Sequence, residues 1–98
     1  MAYAVIRHYR GSPALIEELG RRREDVESLI RGVEGFQQYY LVRTDDGGFS
    51  VSVFADRAGA DESVRAARKY IQDNVADVAG DPPEVIAGSV TISFAGSQ

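Results

Sequence analysis

Residues 35–54, reading GFQQYYLVRTDDGGFSVSVF, constrain this chain more than any other stretch, because two strand-like runs flank a turn signal. Asp45-Asp46-Gly47-Gly48 supplies residues that tolerate the positive φ angles of a tight return, so the segment predicts a β-hairpin. In the first run, period-two alternation places Phe36, Tyr40 and Val42 on one face and Tyr39 and Leu41 on the other. In the second, Phe49, Val51 and Val53 alternate with Ser50 and Ser52. Neither side of the first strand suits water, so a sheet containing it needs cover on both faces.

The flanking sequence says what covers one of them. Tyr3 to Tyr9 is rich in β-branched and aromatic residues and ends at Gly11-Ser12-Pro13, where Ser12 can cap a helix and Pro13 suits its first turn. Leu15, Leu19, Val26, Leu29, Ile30 and Val33 recur at helical spacing, predicting one helix over about residues 13–31, ended by Gly32 or Gly35. After the hairpin, Asp56 can cap a second helix over about residues 57–79, with Ala60, Val64, Ala67, Ile71, Val75 and Val78 on one stripe, stopped by Gly80-Asp-Pro-Pro83. Val85 to Phe94 reads as a last strand, with Ile86, Val90, Ile92 and Phe94 on one side. The order βαββαβ, with right-handed crossovers, predicts an α+β ferredoxin-like fold: a four-stranded antiparallel sheet with two helices on one face. Residues 1–94 are expected to form a single domain, followed by a flexible tail over 95–98. The second sheet face, carrying Tyr or Phe side chains, is most simply covered by another copy of the chain, which predicts a homodimer.

Composition removes several function classes. The net charge of −4, from 15 acidic and 11 basic residues, disfavours a nucleic-acid partner, which needs clustered Lys and Arg. Cysteine is absent, so thiol nucleophiles and thiolate metal sites are excluded, and one histidine limits other metal chemistry. No segment is long and apolar enough to span a membrane, and the opening MAYAVIRHYRG lacks a signal-peptide core, so a cytoplasmic protein with no membrane partner is expected.

The element order and lengths, the Gly35-Phe36 entry to the second strand, the Tyr39-Tyr40-Leu41-Val42 run and the Asp61-Glu62-Ser63 opening of a helix after the third strand together resemble the dimeric α/β-barrel superfamily. Within it, the chain is similar to small antibiotic-biosynthesis-monooxygenase-like domains over about Tyr3 to Phe94. The resemblance implies two sheets packed face to face and a ligand pocket between each sheet and its helices. It also implies cofactor-independent oxygen chemistry on a small organic compound, with aromatic compounds among the candidates. Relatives that oxidise polycyclic aromatics or degrade haem depend on a tryptophan, and the haem-degrading ones on a histidine in the second helix. This chain has no tryptophan and no histidine there, so no haem or other cofactor is expected.

Several residues could carry chemistry. Arg22 falls near the middle of the first helical stripe, where it could hold an anion or lay its stem on the sheet and reach water. Asn74, on the shoulder of the second stripe, could bond a substrate carbonyl or simply water and backbone. His8 is the natural general-base candidate, although a strand histidine without a carboxylate partner also fits a packing or interface role. Phe36 and Tyr40, read as sharing a face, form either core packing or one wall of an aromatic pocket. No clustered acid, base and nucleophile accompanies them, which leaves open a non-catalytic structural or sensory dimer whose core fills itself.

Overall fold

In the computed structural model, which describes residues 1–96, the alternating runs form the strands β1 (Tyr3–Arg10), β2 (Phe36–Thr44), β3 (Gly47–Phe54) and β4 (Glu84–Ser89). They make one antiparallel sheet in the order β2-β3-β1-β4. Helical segments α1 (Pro13–Arg21) and α2 (Arg23–Arg31) connect β1 to β2, and α3 (Arg57–Asn74) and α4 (Ala76–Ala79) connect β3 to β4. This is the ferredoxin-like α+β arrangement expected. No helix among the described residues is long and apolar enough to cross a membrane.

Each expected helix is broken once. The first turns at Arg22, which lies outside helical geometry at φ −100°, ψ 35°. Residues 20–23 read Gly-Arg-Arg-Arg, so no apolar side chain anchors that turn to the sheet and Gly20 adds backbone entropy. The break lets α1 bury Leu15, Ile16 and Leu19 while α2 independently buries Ile30. The second turns at Val75, whose side chain enters the core at 1% exposure. Asp56 caps α3 as expected, accepting a bond from the Gly59 amide at 3.1 Å. Ser12 makes no side-chain cap; its hydroxyl instead donates to the Ala79 carbonyl at 3.3 Å, tying the start of α1 to α4.

The last strand is shorter than its alternation suggests. Tyr3 pairs with Ser89 and the Val90 amide bonds the Ala2 carbonyl, so from Thr91 onward no strand runs alongside. Ile92 and Phe94 are therefore exposed, and residues 97–98 of the expected tail lie outside the described residues.

Two apolar clusters hold the helices to the sheet. Val5, Ile30, Val33, Phe54 and Ala60 pack at one end, and Tyr9, Leu15, Ile16, Leu19 and Val75 at the other. Complete burial of a Leu, Ile, Val or Phe side chain is worth about 1.5–3 kcal/mol, so these clusters dominate the favourable side of the balance. Along β1 the inward residues are Val5, Arg7 and Tyr9, so a charged residue separates the clusters.

Candidate functional site

The middle of the helix–sheet interface is polar. Register places Ser50 of β3 between Arg7 and Leu41, and Ser52 between Val5 and Tyr39. All these side chains point towards the helices, since Phe54, on the same face of β3, is fully buried in the first cluster. Serine on the central strand is small enough to leave room above it, and the long Arg7 side chain occupies the interior there at 4% exposure. Its Nη1 donates to the Ser63 carbonyl of α3 at 3.3 Å. Arg7 Nε, Ser50 Oγ and Ser52 Oγ are buried without a hydrogen-bond partner. Burial pushes the Tyr39 phenol above its ordinary value, and the nearby Arg7 cation acts against that shift. Buried polar groups ordinarily have partners, and a buried cation ordinarily has a counter-charge, so this belt is the part of the interior built for something other than packing.

Two concavities border it. One, of about 180 Å³, is lined by Arg7, Tyr9 and Val85 of the sheet, by Leu15 of α1 and Val64 and Ile71 of α3, and by Pro82 and Pro83, with Arg68, Gln72 and Asp81 among the polar lining residues. The other is a wider groove of about 630 Å³ along the outer edge of β2, bordered by α1 and α2 and reaching Phe36, Tyr39, Tyr40 and Leu41. Arg7 and Tyr39 thus connect a buried charge to both openings.

Of the residues singled out from sequence, Phe36 and Tyr40 border the wider groove, whereas His8, Arg22 and Asn74 border neither concavity. His8 is on the opposite sheet face, between Phe49 and Glu84 in register; its Nδ1 accepts from Arg10 Nε at 3.3 Å and lies 4.0 Å from Glu84 Oε1. Arg22 sits at the α1–α2 break, half-buried, with Nε donating to Glu18 Oε2 at 2.8 Å. Arg22, then Arg21, hold the Glu18 carboxyl below the usual carboxylate range. Tyr70 interacts with Arg22 and donates to Asp25 at 3.1 Å, so this group braces α1 and α2 against α3 and borders neither concavity. Asn74 Nδ2 donates back to the Tyr70 carbonyl of its own helix at 3.0 Å.

Phe36 and Tyr40 do not share a face. An irregularity between Phe36 and Gln38 inserts an extra residue into β2, so Phe36 pairs with Phe54 on the helix side while Tyr40 pairs with Val51 on the open side. Phe36 packs edge-on to Phe54, with centroids 6.1 Å apart, and the Arg31 guanidinium lies 5.7 Å from its ring. Tyr40 is 58% exposed.

Arginine in an alternating run normally marks the wet side, which hides Arg7 at the level of sequence. The available signal was its position two residues from both Val5 and Tyr9, which puts it on the buried face.

The ferredoxin-like sheet with its helices on one face defines a class by fold, one shared with solved structures described as putative antibiotic biosynthesis monooxygenases from Nitrosomonas europaea and Bordetella bronchiseptica. Similar solved structures include a protein of unknown function from Nitrosomonas europaea, with a TM-score of 0.72 at 15% identity over 99% of this chain and 95% of that one. Another is the ActVA-Orf6 monooxygenase of Streptomyces coelicolor, solved in complex with nanaomycin D, with a TM-score of 0.63 at 17% identity over 98% of this chain and 92% of that one. No protein-family model matches the sequence, and no curated protein is similar to it in sequence. At these identities the likeness establishes the fold.

Proposed function

We propose that this domain binds a small organic, ionisable compound between its helices and sheet and acts on it as a cofactor-independent, monooxygenase-like enzyme. The observation that carries the reading is the buried Arg7 guanidinium, which has no carboxylate within ion-pair distance among the described residues and lines a cleft. A cation held there favours the ionised form of a bound phenol or enol. Such an anion is electron-rich enough to reduce dioxygen itself: an activated CH2 becomes a carbonyl, one oxygen atom enters the product and the other leaves as water. The monooxygenase activity named for the Streptomyces neighbour supports this assignment at the level of class.

The same reading includes a homodimer formed through the open sheet face. Tyr40, Val51, Ile6 and Ile86 form an apolar row across all four strands there, adjoining Phe49, Val42 and Val53.

The test is a thermal-shift panel of phenols, enolisable ketones and organic acids, followed by oxygen-electrode measurements on the compounds that bind. Stabilisation with oxygen consumption is the expected result. Stabilisation without consumption supports the non-catalytic alternative, a binding or sensory dimer. No stabilisation by any compound overturns the pocket and favours a structural module with a self-filled core.

A further inference from the structure

Resting on the ligand-binding reading above, we infer that the Arg7 cleft selects a compact organic monoanion: one carboxylate or ionised phenol on a body about the size of a single aromatic ring. Three independent features converge on this. The first is how the arginines are paired. Arg10, Arg21, Arg22, Arg23, Arg31, Arg43, Arg57 and Arg65 each have a carboxylate within 4.0 Å. Among the described residues only Arg7 and Arg68 lack one, and both line this cleft. The chain carries more acids than bases, so two unpaired arginines in one place do not reflect a shortage of carboxylates. Asp81 also lines the cleft but lies beyond ion-pair distance of both.

The second feature is geometry. Guanidinium groups stay cationic in proteins, so Arg7 cannot relieve its burial by losing a proton. With Nη1 committed to the Ser63 carbonyl and Nε free, the guanidinium retains a donor for an anionic oxygen. Arg68, exposed on α3, adds positive potential on the way in.

The third feature is size and lining. The cleft holds about 180 Å³, and its walls at Leu15, Val64, Ile71 and Val85 are apolar. A cavity of about 150 Å³ accepts benzene, whereas drug-sized ligands need roughly 300 Å³ or more. An acidic head at Arg7 with one ring against these walls matches the space inside, and a second fused ring projects past the exposed rim at Pro82 and Val85.

Benzoate, methyl benzoate, benzamide and 2-naphthoate separate these features by calorimetric titration of the wild-type protein. Benzoate is expected to bind at least tenfold more tightly than each of the others. In Arg7→Met the preference of benzoate over its ester should disappear, and Arg68→Ala should weaken benzoate a few-fold while keeping the preference. The Arg7 Nε–H resonance of wild-type protein should move on addition of benzoate and stay in place with the ester, a measurement that does not depend on any variant folding. Equal affinity for acid and ester removes the anion selectivity, and equal affinity for benzoate and naphthoate removes the size limit. Both results leave a pocket in place. Failure of all four probes to bind at millimolar concentration overturns the inference, and the ligand-binding reading beneath it falls only if the wider thermal-shift panel is silent as well.

Discussion

Arg7 is the residue on which the interior turns, and its neighbours make the energetics testable. A buried charge without a partner is costly, and replacing such groups by apolar side chains of similar size is commonly neutral or stabilising by about 1–4 kcal/mol. Arg7→Met is therefore expected to melt at or above the wild-type temperature without ligand; a large drop in calorimetry would assign Arg7 a structural role instead. Ser52→Ala, which removes a buried hydroxyl with no partner, should likewise hold or raise stability by about 1 kcal/mol. Tyr39 supplies a pH dependence of opposite sense to the familiar acid loss. Burial raises its folded-state value, so the folded chain keeps this proton at a pH where the unfolded chain has lost it. The Tyr39 contribution is complete below the ordinary phenol value of about 10 and is lost as pH rises through the folded one. Denaturant melts between neutral and strongly alkaline pH should show this decline, and Tyr39→Phe should flatten it.

Among the elements, the hairpin is the one that cannot shift. Gly47 starts β3 with φ +155° opposite Arg10, and a β-carbon there would overlap the Tyr9 carbonyl oxygen. The Gly11 amide also bonds the Asp46 carbonyl at 2.6 Å, so the turn after β1 rests on the hairpin loop. Gly47→Ala should cost about 2 kcal/mol, read from the shift in urea midpoint with an unchanged slope. The β2 irregularity has the other decisive role. With side-chain period two, one extra residue after Phe36 sends Phe36 inward and Tyr40 outward, and so gives the core an aromatic pair and the open face a tyrosine.

For the molecule as a whole, the uncovered face decides behaviour in solution. Sedimentation at micromolar concentration should give about twice 10.7 kDa. Val51 lies between Tyr40 and Ile6 in the apolar row, so Val51→Lys should yield a monomer with unchanged far-ultraviolet circular dichroism. Moderate salt should leave the wild-type dimer intact, because burial of apolar surface responds weakly to screening. A wild-type monomer at these concentrations would overturn the face-to-face arrangement.

The sequence by itself determined the order of elements, the hairpin, the Asp56 cap and the ferredoxin-like class. These depend on periodicity, turn residues and capping, which are local properties of the chain. Its reach ended where an outcome depended on a partner distant in sequence. Val85 to Phe94 alternates like one long strand, yet its pairing ends at residue 90, where the Val90 amide bonds the Ala2 carbonyl beside the start of β1. Arg22 fits a helical stripe that the helix abandons at that residue, and its donor is taken by Glu18. Ser50 and Ser52 alternate with larger apolar residues, which suggests that the serines face water. Tertiary packing reversed this, because Phe54 is buried under the helices and carries Ser52 and Ser50 inward with it by the two-residue period. That reversal put room above the central strand and left Arg7 inside. A buried cation is a property of three-dimensional surroundings, and the residue type alone argues against it.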